Sequence, residues 1–92
     1  MSVILVKKEG EGESEYLYEV KVKEKDSSTS HKVAIQKEYY KSLGTKTSPG
    51  DVVRKSFEFL LKREPKESIL KEFDLQLISN FFPEFDSESS QF

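Results

Sequence analysis

The chain has 92 residues, of which 35% are hydrophobic and 35% are charged, and its formal net charge is −2. The length predicts one domain with a modest core, and the composition is typical of a soluble globular protein. Because the chain contains no cysteine, its sequence excludes disulfide bonds, thiolate metal sites and a thiol nucleophile.

The first third of the chain predicts three β-strands. Residues 3–8 begin with four consecutive apolar residues, too few for a signal peptide or a membrane span, so we expect a cytoplasmic protein. Residues 15–25 alternate, which places two tyrosines and two valines on one face and the lysines on the other. Residues 31–35 alternate again. The short connections between the three segments predict an antiparallel meander.

The pattern changes to a helical period after residue 35. Residues 36–44 predict a short helix. Residues 48–63 predict the principal helix, because Ser48 can cap its N-terminus and Pro49 suits its first turn. Pro65 then ends this helix, since proline disfavours helical geometry in the residue before it.

Two further short helices are predicted over residues 66–73 and 74–82. The predicted fold is therefore α+β, with a three-stranded antiparallel β-meander followed by three to four helices packed on one face. We expect a single small domain over residues 1–85 and a disordered acidic tail over residues 86–92. The predicted core consists of Tyr18, Val20, Val33, Ile35, Val53, Phe57, Leu60, Leu61, Ile69, Leu70, Phe73, Leu77 and Ile78.

The sequence offers few groups suited to catalysis. His31 is the only histidine, and the local sequence gives it no positioned partner that would make it a general base. The carboxylates lie in predicted loops, turns and the tail, as is typical of a solvated surface. We therefore expect no enzymatic activity, no metal site and no cofactor. An enzymatic function would require a subunit interface that brings His31 of one copy against carboxylates of another.

All seven phenylalanines lie at or after position 57. We do not expect one small core to cover all of those near the C-terminus, and the candidate protein-interaction residues are Phe81, Phe82, Phe85 and Phe92. The leading prediction is a small interaction module that binds a protein partner or itself. It would use these residues or an exposed edge strand at residues 3–6.

The charge distribution indicates an alternative function. Residues 21–66 carry twelve Lys and Arg residues against six Asp and Glu residues, and such a block can present a basic face. Weak nucleic-acid binding or regulation would then depend on Lys21, Lys23, Lys25, Lys32 and Lys37. Because alternation separates the tyrosines of the second strand from its lysines, the pattern favours tyrosine packing over base stacking. Nucleic acid is therefore not the expected partner. We also expect no membrane and no small-molecule ligand as partners.

Residues 33–86 contain a recognisable series of short motifs. It comprises the Tyr39-Tyr40 pair, Ser48-Pro49, the run SFEFLLKREPKESIL at 56–70, Phe73-Asp74-Leu75 and Phe82-Pro83-Glu84. This series resembles a set of short uncharacterised prokaryotic proteins and covers a little over half of the chain. The resemblance implies a shared small domain and carries no activity or site residue with it.

Overall fold

The computed structural model of the protein describes residues 2–92, and a four-stranded sheet lies at its centre. The strands are β1 (Val3–Glu11), β2 (Glu15–Lys23), β3 (Ser28–Gln36) and β4 (Glu72–Asp74), and they are adjacent in the order β1-β2-β3-β4. The antiparallel pairing of β1 with β2 and of β2 with β3 confirms the predicted meander. The short strand β4 pairs parallel to β3 and was not predicted.

Four α-helices accompany the sheet in the described part of the chain. They are α1 (Lys37–Ser42), α2 (Pro49–Leu61), α3 (Ile78–Phe81) and α4 (Phe85–Ser89), with short 3-10 helices at Lys66–Ser68 and Leu75–Leu77. The fold is thus α+β, as the sequence predicts. None of the helices within residues 2–92 has the length and apolar stretch needed to cross a bilayer.

Helix α2 packs against β1, β2 and β3 and covers the inner face of the sheet. It begins as predicted, because the Ser48 hydroxyl accepts a hydrogen bond from the Asp51 backbone N–H at 3.3 Å and Pro49 occupies the first turn. Val53 and Phe57 are fully buried beneath the helix. Burial of such side chains is the main source of stability in a domain of this size.

The two faces of the sheet differ as the alternation predicts. Tyr18, Val20 and Val22 of β2 are buried against the helices, whereas Lys21 and Lys23 of the same strand are exposed on the outer face. The sheet therefore separates the aromatic and basic side chains of β2.

The prediction of a helix over residues 66–73 is wrong. Its first residues form a 3-10 helix, and the next ones extend into β4. Two hydrogen bonds to β3 explain the difference, because the Lys32 backbone N–H donates to the Lys71 carbonyl at 2.7 Å and the His31 Nδ1 lies 2.8 Å from the Leu70 carbonyl. Pairing with a distant strand overrides the local helical pattern here.

This change of backbone also alters the predicted core. Leu70 is 47% exposed, because the segment that carries it is not a packed helix. Phe73 of β4 and Leu77 of the second 3-10 helix are only partly buried, and so is Leu61, the last residue of α2. The other predicted core residues are buried. Within residues 2–92, prediction missed five buried hydrophobic side chains, Val22, Val52, Phe59, Leu75 and Phe85, and four buried polar or charged ones, His31, Ser56, Lys66 and Ser89.

Part of the segment predicted as a disordered tail has regular secondary structure. Residues 85–89 form α4, and the Phe92 ring lies 5.9 Å from the Phe85 ring. The hydroxyls of Thr45 and Thr47 donate hydrogen bonds to the Phe92 carbonyl at 3.0 and 2.8 Å. The two aromatic side chains anchor a segment whose composition alone is acidic and polar.

Candidate functional site

A concave apolar surface lies beside the C-terminal end of α2. It has a volume of about 340 Å³ and is lined by Leu60, Glu64, Ser68, Leu70, Phe73, Leu77, Ile78, Phe81 and Phe82. We call this surface the open groove. Its lining combines seven apolar side chains with one hydroxyl and one carboxyl group.

The floor and the rim of the open groove differ in exposure. Leu60 and Ile78 belong to the core and are 4% and 3% exposed, whereas the rim residues Leu70 and Phe81 are 47% and 64% exposed. Phe81 is the last residue of α3. The backbone of Leu70 is held by the bond from His31 described above. The rim therefore exposes large apolar side chains to solvent. Their backbone is fixed by a helix at Phe81 and by a hydrogen bond at Leu70.

Glu64 is the one carboxylate of the open groove, and it is half-buried. Burial raises the pKa of its carboxyl above the ordinary value. Arg63 instead pairs with Glu84 and Glu88 at 3.2 and 2.8 Å. No cation within residues 2–92 forms an ion pair with Glu64.

Lys66, like Arg63, lies close to Glu64 in sequence but pairs with other carboxylates. Lys66 is buried, and its Nζ lies 2.7 Å from a carboxylate oxygen of Glu24 and 2.6 Å from one of Glu67. These hydrogen bonds, that to Glu24 first, raise the pKa of the Lys66 amine. Because Lys66 is fixed by two carboxylates, it does not neutralise Glu64.

The neighbouring side of the same helix end is covered, and we call it the closed side. The Phe59 ring lies 5.0 Å from the ring of Phe85 in α4, in an edge-to-face arrangement. The Arg63 guanidinium lies 3.5 Å from the centre of the Phe59 ring. Its pairs with Glu84 and Glu88 tie α4 to α2.

The structure divides the four predicted interaction residues. Phe81 and Phe82 line the open groove. Phe85 is fully buried and Phe92 packs against it, so neither lies on a free surface as the prediction of an interaction site requires. Their burial follows from the folding of α4 against α2, which the composition of the tail did not indicate.

Prediction missed two features of the open groove. Leu70 was expected in the core, and Glu64 was expected on an ordinary solvated turn. No sequence signal identifies Glu64, because its lack of a cation depends on which carboxylates Arg63 and Lys66 contact.

The predicted edge strand is present, since within residues 2–92 β1 has a neighbouring strand on one side only. Val3 and Leu5 are 51% and 47% exposed on its outer face. Arg54 of α2 donates a hydrogen bond to the Ile4 carbonyl, which covers part of the β1 backbone. Such side-chain cover makes an edge strand less available to a further strand.

The lysines of the alternative function do not form one uninterrupted basic surface. Lys32 on the outer face is in register with Glu19 of β2 and Glu72 of β4. Lys37, at the start of α1, pairs with Glu11 at 2.7 Å. The hydrogen bonds of Lys37 and then Lys8 lower the pKa of the Glu11 carboxyl to about 2.

The remaining three of these lysines lie near one end of the sheet. Lys21 and Lys23 belong to β2, and Lys25 lies in the turn between β2 and β3. All three are exposed. They form a smaller basic cluster than the five predicted residues would.

His31 is a structural residue in this fold. It is 2% exposed, and its ring lies 5.4 Å from the Phe57 ring. Its Nδ1 donates to the Leu70 carbonyl, because a carbonyl oxygen can only accept, and its Nε2 lies 2.8 Å from the Thr29 hydroxyl. Both ring nitrogens are thus occupied. Across residues 2–92, no three His, Cys, Asp or Glu side chains form a group suited to a metal ion.

A larger depression, lined by more charged side chains, lies on the outer face of the sheet. It has a volume of about 520 Å³, and its lining includes Lys32 and the carboxylates of Glu9, Glu72 and Asp74. All four of these side chains are exposed. Solvated charges of both signs are common on protein surfaces, so this depression indicates no particular ligand.

Comparison with known proteins adds no assignment. No family model, curated protein or solved structure matches the chain. The resemblance to short prokaryotic proteins therefore stays a prediction. The open groove and its unpaired carboxylate are the observations from which a function can be inferred.

Proposed function

We propose that the protein is a small non-enzymatic interaction module whose open groove binds an apolar segment of a partner protein. The observation that carries this proposal is the exposure of Leu70 and Phe81, 47% and 64%, both of which line an apolar depression. A leucine and a phenylalanine that line a concave apolar surface gain free energy when a partner removes them from water. Aromatic side chains in such positions often dominate binding energy.

The surroundings of His31 support a non-enzymatic function. Both of its ring nitrogens are engaged within the protein, and its ring packs in the core. A general base needs access to the proton that it removes. The open groove itself has one carboxylate and one hydroxyl, so it is better suited to holding an apolar segment than to acid–base chemistry.

We favour a different protein over a second copy of this chain as the partner. In a two-fold contact centred on the open groove, the same surface meets itself. The Glu64 carboxylates of the two copies would then approach each other without a cation between them. Like charges facing each other across an interface are unfavourable.

The proposal is tested by capture of proteins from a lysate of the source organism with three tagged baits. The baits are the wild type, the groove variant Leu70→Asp/Phe81→Asp and the control variant Val3→Asp/Leu5→Asp. The control changes two side chains of similar exposure on the outer face of the sheet. Circular dichroism and thermal melts first establish that both variants are folded.

We expect the wild type and the control to retain the same specific protein, and the groove variant to lose it. Each capture is divided into nuclease-treated and untreated halves. A protein retained equally by all three baits, or none retained by the wild type, would contradict the proposal. Capture that nuclease removes would favour the alternative in which Lys21, Lys23 and Lys25 contact nucleic acid.

A further inference from the structure

On the closed side, a short segment of the chain covers the C-terminal end of α2. Helix α4 supplies one aromatic side chain, Phe85, which packs on Phe59 at 5.0 Å. The same segment supplies Glu84 and Glu88, which pair with Arg63. An apolar side chain and a charge of opposite sign thus arrive together from one short segment.

The open groove presents the same two kinds of group with the charge reversed. Leu60 and Glu64 are four residues apart, as Phe59 and Arg63 are, and residues at this spacing neighbour each other on a helix surface. The Glu64 backbone N–H donates to the Leu60 carbonyl at 2.9 Å, which continues the helical turn. Apolar side chains line the groove, but no positively charged side chain from residues 2–92 pairs with the Glu64 carboxylate.

Two cations that neighbour Glu64 in the chain are already engaged by other carboxylates. Arg63 is engaged by two carboxylates on the closed side. Lys66 is buried and engaged by Glu24 and Glu67. Moving either side chain to Glu64 would break two existing ion pairs to make one.

We propose that the partner segment in the open groove carries a lysine or arginine beside its apolar anchor and that Glu64 selects for this cation. The inference rests on the proposed function and specifies the chemistry of its partner. The apolar anchor lies between Leu70, Leu77 and Phe81, and the cation pairs with Glu64 at the wall of the groove. Arginine fits best, because its planar guanidinium binds a carboxylate with two hydrogen bonds and packs well on aromatic rings.

The physical basis is a difference in solvation. A fully exposed carboxylate gains little from an ion pair, because water already stabilises the charge. Glu64 is half-buried among apolar side chains, so it has lost part of that hydration and gains more from a cation. We expect the loss of this carboxylate to weaken binding of a basic segment roughly fivefold to tenfold.

The experiment is a selection of random short peptides displayed on phage, performed with the wild type, Glu64→Gln and the control Glu58→Gln. Glu58 is an exposed carboxylate of α2 that does not line the open groove. We expect the wild type and the control to enrich peptides with lysine or arginine next to a large apolar residue. We expect Glu64→Gln to enrich the apolar residue without the basic one.

A selected peptide and its version with glutamine in place of the basic residue are then titrated by fluorescence anisotropy. The basic peptide should bind Glu64→Gln roughly fivefold to tenfold more weakly than the wild type, whereas the neutral peptide should bind both proteins alike. Equal effects on the two peptides would mean that Glu64 acts on the shape of the groove and not through charge. That result overturns the inference.

The remaining outcomes separate this inference from the proposed function. Peptides that depend on Phe81 but show no basic preference overturn the role of Glu64 and leave the open groove as a binding site. A complete absence of peptides sensitive to Phe81→Asp overturns both. Sedimentation that shows a dimer dissociated by Phe81→Asp identifies a second copy as the occupant, which also overturns the inference.

Discussion

The two sides of the C-terminal end of α2 start from similar residues and differ in what covers them. On the closed side, Phe59 and Arg63 meet an aromatic ring and one carboxylate from α4 and a second carboxylate from Glu84, the residue before that helix. On the side of the open groove, Leu60 and Glu64 meet a rim of partly exposed apolar side chains, and no cation from residues 2–92 pairs with Glu64. Both sides pair an apolar residue with a charge, but the folded chain completes only one of them.

The comparison distinguishes stability from recognition within one small cluster. Apolar side chains on the closed side are removed from water by the chain itself, so their burial contributes to folding. Exposed apolar side chains at the open groove contribute little to folding and remain available to a partner. Substitutions on the two sides should therefore affect different properties.

The largest expected effect is that of Phe85→Ala on the closed side. Phe85 is fully buried, and its truncation should lower the free energy of unfolding by about 3–5 kcal/mol, measured by urea denaturation. Phe81→Ala at the open groove removes a side chain that is 64% exposed, and the change should stay within about 0.5 kcal/mol.

Leucine substitutions at the same two positions allow the closed side and the open groove to be compared if Phe85→Ala leaves too little folded protein. A domain of this kind has a total stability of about 5–15 kcal/mol, so one large cavity removes a substantial fraction. Phe85→Leu should lower the free energy of unfolding by roughly 1 kcal/mol, and Phe81→Leu should leave it unchanged. Equal losses from the two leucine variants would contradict the division into closed and open sides.

The sheet and the start of α2 could be predicted from sequence because their signals are local. Alternation in residues 15–25 fixes which side chains face the helices, and Ser48 followed by Pro49 marks the beginning of α2. Each signal spans a few residues, and short turns bring the strands together. The structure confirms the antiparallel meander and the position of the N-cap.

The region after residue 64 could not be predicted in the same way, because its conformation depends on distant contacts. His31 and Leu70 are 39 residues apart, yet their hydrogen bond helps to hold the segment beside β3 and leaves the Leu70 side chain exposed. Likewise, Phe81 and Phe85 are equally apolar in sequence. Which of them is buried depends on how α4 packs against α2, and no local periodicity contains that information.

The second expected effect concerns the charge on the closed side. Arg63→Met keeps much of the side-chain volume but removes the guanidinium, which stacks on Phe59 and pairs with two glutamates. We expect a loss of about 1 kcal/mol in the free energy of unfolding at neutral pH. Lys62→Met is the matched control, because Lys62 is exposed and adjacent. Equal effects of the two substitutions would mean that the ion pairs do not stabilise the closed side.

The loss caused by Arg63→Met should depend on pH in a defined direction. The Glu84 pKa is lowered from the ordinary value of 4.5, first by a hydrogen bond to its own backbone and then by Arg63. Such a carboxylate adds stability above its ordinary pKa, and that stability is lost as pH falls through the lowered folded pKa. The difference between wild type and variant should therefore shrink in acid. A difference that stays constant from neutral to acidic pH would assign the effect to packing alone.

The smallest expected effect is a gain in stability from Glu64→Gln at the open groove. Burial raises the folded-state pKa of Glu64 above 4.5, so the unfolded chain ionises first as pH rises. Ionisation therefore favours unfolding, and this penalty is absent below the unfolded-state pKa and complete above the folded-state pKa. Glutamine removes the charge, so the variant should match the wild type at about pH 3 and exceed it by about 0.5 kcal/mol at about pH 7.

Urea denaturation at both pH values, with Glu58→Gln as the control on the same helix, separates this gain from a general effect of removing a negative charge. A bound basic peptide should reverse the order, because the wild type then gains a partner for its carboxylate and the variant does not. If Glu64→Gln and Glu58→Gln behave alike in the free protein, the Glu64 carboxylate is as well solvated as an ordinary surface group. In that case the open groove lacks a partner for its apolar side chains only, and its charge carries no preference for a cation.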